Sequence, residues 1–138
     1  MSIENRLTTA IAHQWMCDHF GHLNVRNYAA IFDDAIFVFW SKYGASNQGS
    51  VPVTATLKID FRSEVLAGTV LAISSKITRI GTKSVNFGLE MTNTDTNEVV
   101  ASCDVVDVFF SLQDRKSMPI PERTRAKLLT DQKLTAAD

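Results

Sequence analysis

The stretch at residues 17–28, CDHFGHLNVRNY, runs straight into residues 29–44, AAIFDDAIFVFWSKYG. In the first, an acid, two histidines, a glycine and two asparagines crowd a turn-like run. In the second, apolar side chains fall on nearly every side of a helical wheel. Tyr28, Phe32, Ala35, Phe39 and Tyr43 make one stripe, Ile31, Ile36 and Trp40 flank it, and Phe37 and Val38 occupy much of the rest. This spacing predicts a helix from about Val25 to Tyr43, stopped by Gly44. A helix apolar nearly all round is a buried one. The polar run at its mouth is therefore either a cap or a place of chemistry.

Upstream, residues 6–17 (RLTTAIAHQWMC) read as a strand with Leu7, Thr9, Ile11, His13 and Trp15 on one face. Downstream, ASNQGSVP (45–52) reads as a loop. VTATLKIDFR (53–62) then alternates Val53, Ala55, Leu57, Ile59 and Phe61 against polar partners, the pattern of a half-buried strand. Three more strands follow in GTVLAISSKITRI (68–80), SVNFGLEMTN (84–93) and EVVASCDVVDVFFSL (98–112). The breakers EVLAG, GTK and TDTN are short enough for antiparallel hairpins, which predicts a meander. The last strand is apolar on both faces in places, which suits a central position. The basic segment DRKSMPIPERTRAKLL (114–129) reads as a solvated end.

The order strand, long buried helix, four strands requires a sheet curved around the helix. That is an α+β hotdog arrangement, expected as one domain over residues 1–138. Even so, one flank of the helix stays open, which predicts a homodimer or homotetramer. A chain of this length buries about two-thirds of its unfolded surface, enough for a core without staples. The net charge of −1 provides no field for nucleic acid or an anionic membrane. No apolar run is long enough to span a bilayer. Two cysteines, Cys17 and Cys103, form no framework, and no basic-then-apolar leader opens the chain, so the cytoplasm is the expected location.

The pattern D-x-F-G-H-L-N-x-x-x-Y, from Asp18 to Tyr28, resembles the signature of the hotdog acyl-CoA thioesterases of the 4-hydroxybenzoyl-CoA type. The likeness continues through IFDDA (31–35), LKIDFRSEVLAG (57–68), ITRIGTKSVNF (77–87) and PIPERTRAKL (119–128). The resemblance implies an acyl-CoA substrate and no cofactor, with each site lying across a dimer interface. An acyl carrier protein can replace coenzyme A as the carrier. A hotdog hydratase or dehydratase, and a non-catalytic acyl-thioester binding protein, remain as rival readings.

Thioester hydrolysis needs an activated water or a carboxylate nucleophile, donors for the oxyanion and a slot for the thiol. The free N–H groups at a helix start favour negative charge. By the resemblance, Asp18 is the general base or nucleophile and the backbone N–H of Val25 is the oxyanion donor. The alternative for Asp18 is a loop or capping carboxylate, a reading weakened because Asn24 already holds the natural cap position. His22 is a catalytic candidate too. In some relatives a histidine here works with the acid and an asparagine between them, a place that Phe20 takes in this chain. Otherwise His22 braces the loop.

Asn24 and Asn27 can position water or a carbonyl as well as cap, and Tyr28 faces the core or the substrate. Asp33 and Asp34 sit mid-helix, and the spacing leaves open which one faces inward. The basic turn RIGTKS (79–84) is the coenzyme A candidate through Arg79, Gly81, Lys83 and Ser84, and equally an ordinary hairpin. No metal site is expected, because His13, Cys17, Asp18, His19 and His22 fit no zinc spacing.

Overall fold

The structure, a computed structural model, describes residues 6–45 and 49–136. Strand β1 (Arg6–Ile11) leads through a single 3₁₀ turn (Gln14–Met16) to helix α1 (Val25–Ser41). Then come β2 (Ser50–Phe61), β3 (Val70–Ile80), β4 (Ser84–Asn93), β5 (Val99–Ser111), β6 (Lys116–Ser117) and α2 (Glu122–Ala136). Of the loop expected over 45–52, residues 46–48 lie outside the described residues and Ser50–Pro52 already belong to β2. Two compact units emerge: residues 1–38, 59–75 and 89–103, and residues 39–58, 76–88 and 104–138.

Helix α1 begins at Val25, as its cap chemistry predicts. Past its end, Gly44 takes φ +61°. The Gly44 N–H donates to Ser41 O and the Ala45 N–H to Trp40 O, a Schellman closure that a glycine makes without steric cost. The helix is not apolar all round. Tyr28, Ile31, Phe32, Ala35, Ile36, Phe39 and Trp40 are buried, whereas Arg26, Ala30, Asp33, Asp34, Phe37 and Ser41 form an exposed face. Successive residues turn by about 100°, so both acids fall in the outward sector and neither points inward.

The sheet order is β1-β3-β4-β5-β2, with β6 paired to β5. The expected meander is therefore wrong at its first link, because β2 neighbours β5 and not β3. The reason lies in the segment after β2. The Arg62 and Ser63 amides both donate to Val100 O, which keeps the chain alongside β5. Val65 is buried and its carbonyl accepts the Leu23 N–H. The Gly68 N–H then donates to Ala12 O and the Ala12 N–H to Thr69 O, delivering β3 beside β1 with Thr9 opposite Ala72 and Ile11 opposite Val70. EVLAG is a crossover rather than a hairpin.

Two strand expectations change with this order. Strand β1 stops at Ile11, and the 3₁₀ turn lifts His13 and Trp15 off the sheet into solvent. Strand β2 is an edge strand whose apolar side is uncovered: Val53, Ala55, Leu57 and Phe61 are exposed, not half-buried. Strand β5 does lie between two neighbours, as its apolar composition on both faces predicts.

In the second unit, aromatic side chains from α1 and the sheet form the core. Phe39 stacks on Phe87 at 4.0 Å between centroids, and Trp40 meets Phe109 edge-on at 5.3 Å. Inside this cluster the Trp40 Nε1–H donates to Oδ2 of the buried Asp107 at 2.6 Å. The basic end segment is mostly exposed, as expected, but it is anchored rather than loose. Ile120 and Leu128 are buried, the Ile120 N–H donates to Thr82 O, and Arg125 Nη1 donates to Gly81 O. Tyr43 OH donates to Asp131 Oδ2 at 2.7 Å, and burial followed by that acid pushes the phenol well above its ordinary pKa.

A buried carboxylate that loses one of its donors loses part of its compensation for leaving water. Trp40→Phe removes the N–H to Asp107 and leaves a smaller ring in the cluster, so unfolding stability should fall by at least about 1–3 kcal/mol in a denaturant titration. An unchanged midpoint would show that this bond contributes nothing.

Candidate active site

The loop between the 3₁₀ turn and α1 is built on one carboxylate oxygen. Asp18 Oδ1 accepts the Phe20 N–H at 2.9 Å and the His22 N–H at 3.3 Å. The Asp18 N–H donates to His22 O, and the Gly21 N–H to Asp18 O. Closing so tight a turn requires the positive φ of +80° found at Gly21. The capping role considered for Asp18 is thus real at Oδ1. Among the described residues, no hydrogen bond is found to Oδ2.

Partial burial pushes the Asp18 carboxyl up, but the two amide bonds, with the His22 and His19 rings nearby, outweigh it. The net effect lowers its pKa below the ordinary 3.8. The group is thus an anion throughout the neutral range.

His22 Nε2 lies 2.9 Å from Glu64 Oε2, and both side chains are substantially exposed. Glu64 is the residue that sequence reasoning missed. It sits in the RSEVLAG stretch, and nothing in the local pattern distinguishes it from a solvating charge. It reaches His22 because the crossover after β2 pairs Leu66 with His22 in an isolated bridge.

At the helix entrance nearly every amide has an acceptor. The Leu23 N–H donates to Val65 O and the Asn24 N–H to Met16 O. Asn24 Oδ1 accepts the Arg26 N–H at 3.1 Å, the N-cap bond, and also Arg26 Nη1. Asn24 O accepts the Asn27 and Tyr28 amides. From Phe20 to Tyr28, among the described residues, only the Val25 N–H has no acceptor. Asn27 Nδ2 donates to Met16 O at 2.7 Å, which commits that amide to holding the loop. Tyr28 is buried with its ring edge-on to Phe61 at 4.9 Å. Burial, then Cys17 and Glu64, push its hydroxyl pKa up.

Asp18, His22, Asn24, Val25, Asn27 and Tyr28 all belong to the first compact unit, whereas Arg79, Gly81, Lys83 and Ser84 belong to the second. In the hairpin, the Gly81 N–H is taken by Ser84 O, and Lys83 Nζ reaches Ser117 Oγ at 3.5 Å. The Arg79 and Lys83 side chains are exposed. Gly81 is a close approach, since an added Cβ would meet Ser84 Oγ at 3.0 Å. Cys17 Sγ makes a 3.5 Å contact to His13 O. Among the described residues, no three His, Cys, Asp or Glu side chains converge as a metal site, and no helix is long and apolar enough to cross a membrane.

A carboxyl with a lowered folded-state pKa stabilises the fold above its unfolded value, and that contribution disappears as pH falls through the lowered value. Carbon-detected titration should therefore place Asp18 below 3.8. In His22→Ala the value should rise toward the ordinary one. A midpoint at or above the ordinary value in the parent would contradict the amide geometry.

The model of the thioesterase-like superfamily matches residues 11–128. No curated protein sequence matches the chain. A Staphylococcus aureus protein, solved in complex with CoA, superposes with a TM-score of 0.87 at 22% identity, over 93% of this chain and 84% of its own. A Pseudomonas aeruginosa protein gives 0.80 at 21% identity over 92% of each chain. A 1,4-dihydroxy-2-naphthoyl-CoA thioesterase from Synechocystis gives 0.77 at 16%, over 88% of this chain and 93% of its own. At such identities the structures share a fold, and the family match supplies the kinship: the chain belongs to the thioesterase-like superfamily and has its hotdog fold.

Proposed function

We propose that this protein is an acyl-CoA thioesterase, of the 4-hydroxybenzoyl-CoA type within its superfamily. The observation that carries the reading is the Val25 N–H, the one amide without an acceptor between Phe20 and Tyr28, at the start of a helix and close in sequence to an ionised carboxylate. A thioester oxygen docked on that amide would be polarised by a donor already in place, and preorganised donors of this sort contribute much of acyl-transfer catalysis.

Asp18 Oδ2 is the reacting oxygen, since Oδ1 is committed to the loop. As a base it takes a proton from water while the water oxygen bonds to the thioester carbon. As a nucleophile it bonds to that carbon itself, giving an anhydride that water then opens. In either route the carbonyl electrons move onto the oxygen at Val25. Collapse then breaks the C–S bond, so that thioester plus water yields acid plus free thiol. His22, paired to Glu64 and donating its amide to Asp18, is a positioning residue in this reading. Asn24 and Asn27 hold the entrance, and Tyr28 backs it. The exposed Arg79 and Lys83, with Gly81 and Ser84 shaping their turn, are the residues proposed to meet the coenzyme A phosphates. The CoA held by the Staphylococcus aureus structure supports that carrier.

We also propose that the protein is at least a homodimer. Trp15, Phe20 and Phe37 are each more than 70% exposed, and Val25, Leu66 and Val70 add to the uncovered apolar surface of the same unit. Isolated exposed apolar residues are ordinary, but so many large ones in one unit mark an interaction face. Edge strand β2, with Val53, Leu57 and Phe61 uncovered, offers a second copy an unpaired backbone.

Release of free thiol from a panel of acyl-CoAs tests the activity. Asp18→Asn should lower kcat by roughly 10²–10⁴ with acyl-CoA binding kept, and His22→Ala should cost less. A folded Asp18→Asn variant hydrolysing at the parent rate would reduce the cluster to a cap. In a sedimentation run at micromolar concentration the chain should travel as a dimer or tetramer, and a monomer would refute the interface.

A further inference from the structure

A cavity of about 230 Å³ lies wholly within the second compact unit, where the end of α1 and the start of β2 meet the first turns of α2. Its lining is Tyr43, Gly44, Ala45, Ser50, Pro121, Arg123, Thr124 and Lys127. Two cations and two aliphatic hydroxyls face it, and none of the lining residues is acidic. A second cavity shares Tyr43 and Lys127 and is lined also by Asp131, whose carboxylate accepts the Tyr43 hydroxyl.

Three features of this lining point the same way. The first intrahelical bond of α2 is the Arg125 N–H to Pro121 O, so the amides of Glu122, Arg123 and Thr124 have no partner within the helix. Proline at the cap position offers no side-chain acceptor to satisfy them. Thr124 and Ser50 are each only 5% exposed, and among the described residues neither hydroxyl makes a hydrogen bond. With the rest of each side chain packed away, the two hydroxyls open onto the cavity and can pair with a group that enters it. Arg123 and Lys127 bring their positive charge to the same wall from successive turns of α2, where residues four apart share a face.

We propose that this cavity binds a phosphate group, held by the Arg123 and Lys127 side chains, the Thr124 and Ser50 hydroxyls and the open amides of the first turn of α2. The group is a phosphate monoester or free phosphate; a guanidinium, an ammonium and helix-start amides together suit a compact, multiply charged oxyanion. The proposal does not rest on the thioesterase reading, because it concerns residues outside that chemistry. It also gives a role to the basic end segment beyond packing, since Ile120 and Arg125 of the same segment are already tied to the β3–β4 turn.

The test is isothermal titration of the full chain with inorganic phosphate, and separately with adenosine 3′,5′-bisphosphate, at ionic strength matched with chloride. Phosphate stabilises many proteins by exclusion from their surface, so thermal stabilisation alone does not count and the comparison must be with variants. Saturable binding of either probe to one site per chain is expected, weakened at least about tenfold in an Arg123→Ala/Lys127→Ala double variant. Both side chains are exposed, so the fold is not at stake. Thr124→Val, nearly isosteric, should weaken binding as well. Binding of inorganic phosphate alone would identify free phosphate as the occupant, and tighter binding of the bisphosphate would identify a nucleotide phosphate. Absence of saturable binding by both probes, or affinities unchanged in both variants, would overturn the site.

Discussion

Backbone amides taken out of water must find acceptors, and the entrance to α1 is organised by that constraint. Between Phe20 and Tyr28 the acceptors are Asp18, Val65, Met16 and Asn24, each used for specific neighbours. The carboxylate of Asp18 closes the turn, which sets His22 against Glu64. The carbonyl of Met16 takes both the Asn24 amide and the Asn27 side chain. Asn24 then caps the helix in register. What remains is one amide, Val25, with its acceptor place vacant. A capping carboxylate and a catalytic carboxylate are therefore not alternatives at Asp18. Its two oxygens can divide the work, since only Oδ1 is bound up in the loop.

The same helix is anchored differently at its far end. Phe39, Trp40 and Tyr43 lie among Phe87 and Phe109, and the polar edges of two of these rings find acids: Trp40 at Asp107 and Tyr43 at Asp131. Large rings bury much surface with few rotamers to lose, and a satisfied polar edge fixes their orientation. Phe39 and Trp40 are therefore packing residues of this unit. Phe37, by contrast, stands on the solvent side with Asp33 and Asp34, where only a partner could cover it.

Much of the candidate site was legible because its chemistry is local. Asp18, Gly21, His22, Asn24 and Val25 lie within eight successive positions, and a cap or a tight turn is decided by its immediate neighbours. Glu64 was not legible for the opposite reason. It reaches the site through a crossover far along the chain, and its identity as a charged loop residue carries no trace of that destination. The sheet shows the same division. Strand β2 follows from alternation and β3, β4 and β5 from runs between turn signals, but pairing β2 with β5 rather than β3 rests on bonds from Arg62 and Ser63 to Val100, which no local period encodes.

By itself, then, the sequence determined the start and stop of α1, through Asn24 and Gly44, and the existence of four strands after it. It also pointed to the turn that carries Asp18, because the side-chain-to-backbone bonds that close it join residues only a few positions apart. Only the tertiary structure decided which strands are neighbours, which side of α1 and β2 stays uncovered, and that the basic end segment packs as a helix instead of trailing in water. Those outcomes depend on pairs of surfaces distant in sequence. A single residue's polarity or period is compatible with several such pairings, and burial of the whole selects one.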